Sequence, residues 1–364
     1  MDKAVSSKSK ASWAVPVVTI AVFLGFTVVG GIGYFEFSPP ERTCVSCHEI
    51  RASHARWTNS VHRNVSCKKC HGGSADSLHA LEENAKRVFF HVTAKRHDNL
   101  RLSEDQTLRM VRACQSCHAR EFAHWQAGGH GTNYAAIFMD EKHNRIEQLN
   151  DECLRCHGMF FEGAMAELVA PLDVKGPWRF RRPGFENRPV TPCLACHELH
   201  APGSPFRRDL APPAALLSAT NLPAFRRDTI AFYVRQEREH FAADDLSVPK
   251  VFDQGKAVKV SSDPRQRLCM QCHAPNAFGQ AGSGDDRTPT GVHEGISCTA
   301  CHRPHSNDPR GSCASCHPAR SSCGRDVTQM DTTYRSRTSK NNIHRMRCLD
   351  CHPSGVPRKD AQAL

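Results

Sequence analysis

Nine copies of Cys-x-x-Cys-His take up 18 of the 19 cysteines in this chain of 364 residues. The first five are Cys44/Cys47/His48, Cys67/Cys70/His71, Cys114/Cys117/His118, Cys153/Cys156/His157 and Cys193/Cys196/His197. The last four are Cys269/Cys272/His273, Cys298/Cys301/His302, Cys313/Cys316/His317 and Cys348/Cys351/His352. Two thiols at this spacing can each form a thioether with one vinyl group of a haem. The adjoining imidazole then falls beneath the iron as its proximal ligand. One copy would be a modest signal, but nine are beyond coincidence, and they predict nine covalently bound haem c groups. Cys323 stands outside the pattern and reads as a free bystander, with an axial thiolate as the alternative.

Nine of the 22 histidines are proximal, which leaves His54, His62, His79, His91, His97, His124, His130, His143, His200, His240, His293, His305 and His344. A second imidazole saturates an iron and suits it to electron transfer, whereas an open sixth position admits a substrate. The remaining histidines outnumber the irons, so the stoichiometry favours transfer. His62, His293 and His344 stand four or five residues before a motif, and His200 and His305 stand three after a proximal histidine. Each is too close to its own motif to cap that iron, but it can reach a neighbouring one. These five, with His97, His130 and His143, are the candidate distal ligands. His54, His79, His91, His124 and His240 divide between distal and surface or propionate-bonding roles.

About 40 residues per haem leave little chain for a conventional core. The macrocycles must supply the interior, with the chain wrapped around them, and the 23 Gly, 22 Pro and 7% aromatic residues fit such a wrapper. The expected fold class is a multihaem cytochrome c, mostly α and loop with little or no β, carrying one N-terminal transmembrane helix. The formal charge of +11 does not indicate a nucleic-acid partner, because nine haems bring about 18 propionates, partly offset by the ferric charge. The arginines and lysines read as propionate partners and solvated surface. Arg179, Arg181, Arg182, Arg207 and Arg208 could also form a docking face for an acidic redox protein.

Residues 11–35 carry no charge and are long enough to cross a bilayer core of about 30 Å. Lys3, Lys8 and Lys10 precede them, which keeps the tip cytoplasmic and sends the rest of the chain across the inner membrane. A cleaved secretory signal is the competing reading, but the apolar run is longer than a typical signal core and lacks a small-x-small cleavage site. The expected layout is an anchor over 1–36, a haem module over 37–204, a haem-free linker and helix over 205–268, and a second haem module over 269–364. Within it, residues 224–243 read as a helix. Leu78, Leu81, Ala85, Val88, Phe89 and Val92 have helical spacing, for a helix lying either on the membrane surface or against the haems. Trp125 and His130 echo Trp57 and His62, which hints at a duplicated unit.

Residues 41–118 resemble the NapC/NirT (NrfH-like) family of membrane-anchored periplasmic quinol dehydrogenases. The likeness lies in TCVSCHEI just after the anchor, in SVHRNVSCKKCH, in a segment ending KRHDN and in LSEDQTLRMVRACQSCH. It carries over the first three motifs, His62 and His97, and Lys86 falls near a lysine that the family places in its quinol pocket. Family members often have Met two residues after the first proximal histidine. Ile50 stands there instead, so the first haem is either capped otherwise, with His54 in reach, or open. The resemblance implies a quinol dehydrogenase taking electrons from the membrane quinol pool. The acceptor would be a periplasmic redox protein or respiratory complex of anaerobic respiration. Two other readings stand beside this one: a terminal reductase or oxidase of small nitrogen or sulfur compounds with one five-coordinate haem, and a haem relay subunit of a larger complex. Homo- and hetero-oligomers both remain open.

Overall fold

A computed structural model describes residues 13–39, 42, 44–45, 50–71, 89, 93, 103–200, 230–279, 286–303, 305, 312–317, 331–332 and 338–355. The chain divides into two compact units, residues 1–100 and 101–364. The expected modules at 37–204 and 269–364 share contacts inside the second unit, where Arg155 bonds the carbonyl of Gln271.

In the first unit, helix α1 (Ala14–Phe37) is by length and composition able to cross a membrane. Its 24 residues span about 36 Å at the α-helical rise. Its Thr19 and Thr27 hydroxyls donate to the carbonyls of Val15 and Phe23 one turn back, as an apolar surrounding demands. Ser38 ends the helix in extended backbone, and Lys68 Nζ donates to the Ser38 carbonyl at 2.8 Å. That bond ties the second motif to the C-terminal end of α1. Helix α2 (Arg51–Thr58) follows the first motif.

The second unit is built from short helices. Helix α3 (Glu104–Gln115) opens with a capping box between Ser103 and Gln106 and ends within the third motif, and α4 (Ala119–Ala127) follows it. Three two-stranded antiparallel ribbons supply the only strands among the described residues. They are β1 (Val169–Ala170) with β2 (Arg179–Phe180), β3 (Ala231–Val234) with β4 (Glu239–Ala242), and β5 (Phe252–Asp253) with β6 (Lys256–Ala257). Helix α5 (Pro264–His273) carries the sixth motif and is capped by Asp263. The chain is thus mostly helix and loop with little β.

One expectation is corrected here. The described part of 224–243 is not a helix but the β3–β4 hairpin, pairing Phe232 with Phe241 and Tyr233 with His240. Ala231 and Phe232 are buried, and Tyr233 stacks on Phe160 with ring centres 4.1 Å apart. The β-branched and aromatic run Ile230–Val234 gains more from that packing than from helical propensity. Arg238, at φ 54°, turns the chain between the strands.

Among the described residues the apolar interior forms three small clusters, and residues of the Cys-x-x-Cys-His motifs enter each. Leu154 packs with Tyr134, Phe138, Met165, Leu168 and Val190. Leu194 and Ala195 pack with Met110, Phe160 and Phe232. Met270 packs with Val251 and Ala274. In these three motifs the residues between the paired cysteines therefore anchor the turn in protein, and Cys153, Cys196 and Cys272 pack at the edges of the first two clusters.

Candidate haem-ligating site

Each of six motifs closes one helical turn with the same bond. The N–H of the histidine donates to the carbonyl of the first cysteine at 2.8 Å for His118, 2.9 Å for His157, 3.1 Å for His197, 2.8 Å for His302, 2.7 Å for His317 and 2.9 Å for His352. Positions i, i+3 and i+4 lie on one face of such a turn. Two thiols and one imidazole are thereby presented together, which is what attachment and proximal ligation require.

Several motifs of the second unit crowd against one another. Thiol contacts join Cys114 to Cys193, Cys156 to Cys272 and Cys269 to Cys298. Asp263 locks the sixth motif to the seventh. Its carboxylate accepts from Arg265 Nε at 3.0 Å, from Ser297 Oγ at 2.7 Å and from Thr299 Oγ1 at 2.9 Å.

The nine motifs read alike in sequence, but the structure does not place them alike. Their exposure differs among the described residues. Cys117 and Cys316 are exposed. His71 is exposed too, at the end of the helical turn Cys67–His71 that holds the half-buried Cys70. Cys351 closes the short helix Cys348–Cys351, whose Cys348 and Leu349 are exposed. In the second to sixth and the eighth motifs, the residues between the cysteines account for the difference. Leu154, Leu194 and Met270 pull their turns into apolar clusters. Lys68 and Lys69, Gln115 and Ser116, or Ala314 and Ser315 offer too little apolar surface to do the same. Among the described residues, no three His, Cys, Asp or Glu side chains converge as a bare metal site.

Four proximal histidines each face a second histidine from elsewhere in the chain. Ring centres are 6.1 Å apart for His130 and His273, 5.8 Å for His197 and His305, 6.3 Å for His293 and His317, and 5.9 Å for His302 and His344. Two imidazoles sharing one metal at bonds of about 2 Å hold their ring centres about 6 Å apart. The observed separations fit that span, which is the test the donor set must pass. His143 lies near His157 and, after burial, is the further influence holding it below the usual imidazole range.

The ring orientations fit as well. His293 Nδ1 lies 3.0 Å from the carbonyl of Ile343. A carbonyl only accepts, so that nitrogen carries the proton and Nε2 is left bare for a metal. His344 Nδ1 is held by Asn342 Oδ1 at 3.1 Å. Burial presses His130, His302 and His305 below the ordinary imidazole pKa. They are accordingly neutral, the form that binds metal.

The turns that carry His293 and His344 brace each other. Thr290 N donates to His344 O at 2.7 Å and Val292 N to Met346 O at 3.0 Å. Gly291 has φ +69°, and a Cβ there would collide with the Met346 carbonyl. Beside the sixth motif, an open cavity of about 490 Å³ is lined mostly by apolar residues, Val248, Val251, Phe252, Val258 and Val260 among them, together with Lys250.

The echo between Trp57 and Trp125 has a structural counterpart. Trp57 Nε1 donates to the carbonyl of Val65, two residues before Cys67. Trp125 Nε1 donates to that of Thr191, two residues before Cys193. Each tryptophan also packs on the aromatic ring three residues earlier, His54 or Phe122.

Other sequence candidates fall as follows. His62 lies in the turn after α2, with its N–H bonded to Ser60 Oγ, and His200 is half-buried in the turn after the fifth motif. His240 Nε2 is 2.7 Å from the Leu194 carbonyl, which pins β4 to the fifth motif. His124 is exposed on α4. Cys47, His48, His79, Lys86, His91, His97 and Cys323, the 78–92 helix apart from Phe89, and Arg207 and Arg208 lie outside the described residues. The sequence did not disclose which distal histidine serves which motif, nor the tryptophan bonds, because both depend on contacts between distant segments.

Comparison with known proteins agrees with this geometry. The family described as cytochrome c554 and c-prime matches residues 113–169 and 233–303, segments holding the third, fourth, sixth and seventh motifs. The cytochrome c-type protein NrfH of Wolinella succinogenes is 25% identical over 187 residues, covering 47% of this chain and 97% of that protein. No solved structure matches.

Proposed function

Starting from a chain that is a multihaem cytochrome c with an apolar N-terminal helix, we propose a membrane-anchored nonahaem cytochrome that draws electrons from the quinol pool. It passes them along its haem chain to a periplasmic redox protein or respiratory complex. The anchor lies in the bacterial inner membrane, and the bulk of the chain is periplasmic.

The observation that carries this reading is the set of facing imidazoles. Haem c, when bound, supplies reversible one-electron chemistry. His273 with His130, His197 with His305, His317 with His293 and His302 with His344 would each hold one iron between two imidazoles, and His143 would do so with His157. Full occupation leaves a small substrate no coordination position, so these sites transfer electrons. The crowding of motifs keeps neighbouring sites close, and Lys68 on Ser38 holds the second motif at the foot of α1. Quinol oxidation near the first motif, with Lys86 in the pocket, rests on the resemblance of residues 41–118 to quinol dehydrogenases.

Two measurements test the reading. The intact mass of the purified protein is expected to exceed that of the polypeptide by nine haems, with the exposed thiols Cys117 and Cys316 carrying thioethers like the rest. Menaquinol is expected to reduce the protein in membranes. Replacing residues 1–36 with a cleavable signal should abolish that reduction while leaving dithionite reduction unchanged. A protein that no quinol reduces would end the quinol assignment.

A further inference from the structure

Arg155 is the residue before the second cysteine of the fourth motif, and it is only 9% exposed. The corresponding residues Lys69 and Asp350, also charged, are exposed, so nothing in the motif demands a charge there or its burial. Arg155 Nη2 donates to the carbonyl of Gln271 at 3.2 Å, in the sixth motif. The guanidinium sits 5.9 Å from the centre of the Phe278 ring. Its Nη1 is buried with no hydrogen-bond partner, and no described ion pair includes it. The next residue, Cys156, touches Cys272 of the sixth motif.

A guanidinium keeps its charge at any attainable pH. The cation therefore lies at the joint of two attachment motifs in a medium of low dielectric, where its field is strong and salt screens it poorly. An iron loses one unit of positive charge on reduction, so a nearby fixed cation favours the reduced state. We propose that Arg155 sets potentials. Its charge raises those of the haems attached at Cys153/Cys156 and Cys269/Cys272, making that pair a preferred resting place for electrons within the second unit. The inference rests on the reading of these motifs as haem sites.

The test is a spectroelectrochemical titration of the full-length holoprotein in detergent, comparing wild type with Arg155→Met, Arg155→Gln and Arg155→Lys. The Met and Gln variants are expected to move two haem components to lower potential, leave the others in place and hold that shift at high ionic strength. Lys, which keeps the charge, is expected to titrate close to wild type. Should Met fail to accumulate, Gln, whose amide can still donate to Gln271, decides the matter. Unmoved potentials in a variant with full haem content would overturn the proposal, and so would a Lys variant that shifts as far as Gln. Tryptic peptides containing Cys153 or Cys269 but lacking haem mass would instead overturn the underlying reading.

Discussion

Gly158 follows the proximal histidine of the fourth motif, and its backbone sits at φ +93°. A Cβ there would lie 2.9 Å from Tyr134 Oη. Tyr134 cannot yield, since it is 1% exposed and donates to Glu104 Oε1 at 2.5 Å. Arg188 Nη1 meets the other oxygen of that carboxylate at 2.7 Å. Gly158→Ala is therefore expected to cost roughly 1–3 kcal/mol in denaturant unfolding. A second residue sets a pH dependence. Burial raises the Asp263 pKa, but the hydrogen bonds from Arg265, Ser297 and Thr299 outweigh it, and the carboxyl is held below its ordinary range. A depressed carboxyl contributes stability above its unfolded pKa of about 3.9, and that contribution is lost as pH falls through the folded value. Asp263→Asn should be less stable than wild type at neutral pH by about 1–3 kcal/mol. The gap should close in acid, as read by unfolding curves at several pH values.

At the scale of elements, the braced turns around Gly291 and Ile343 hold two facing histidines at once. Gly291→Ala should displace both, so high-spin signals are expected at two irons together, visible as new charge-transfer absorption. A spectrum unchanged from wild type would show that the turns do not depend on each other. Trp125→Phe keeps an aromatic ring beside Phe122 but loses the bond to Thr191 and part of the indole, so a loss of roughly 1–3 kcal/mol with haem content intact is expected in thermal unfolding. How legible these elements were follows from how locally they are specified. The Cys-x-x-Cys-His turns were readable because attachment chemistry needs all its residues within one helical turn. The apolar run of α1 was readable because the surroundings it suits act on every residue alike. Residues 231–242 misled because Tyr233 and Phe232 answer to Phe160 and Leu194, which lie far away in sequence. The partner of each proximal histidine was hidden for the same reason, although His130, His143, His293, His305 and His344 were all recognisable as candidates.

For the whole molecule, the angle between facing imidazole planes orders the iron d orbitals and so shapes the low-spin spectrum. The planes of His302 and His344 are 7° apart and those of His197 and His305 are 25° apart, whereas His293 and His317 stand at 79°. Low-temperature electron paramagnetic resonance of the oxidised protein should contain rhombic signals together with a large-anisotropy signal. A single class would contradict these pairings. The pairings also run in both directions along the chain, which matters while the protein is being made. If the chain crosses the membrane in the proposed orientation, it delivers His130, His143 and His293 before the motifs paired with them, but His305 and His344 after theirs. On the proposed ligation, the irons at the fifth and seventh motifs must wait half-coordinated for later residues to arrive. Those two are the points at which a stalled or truncated translocation product would expose reactive iron to oxygen.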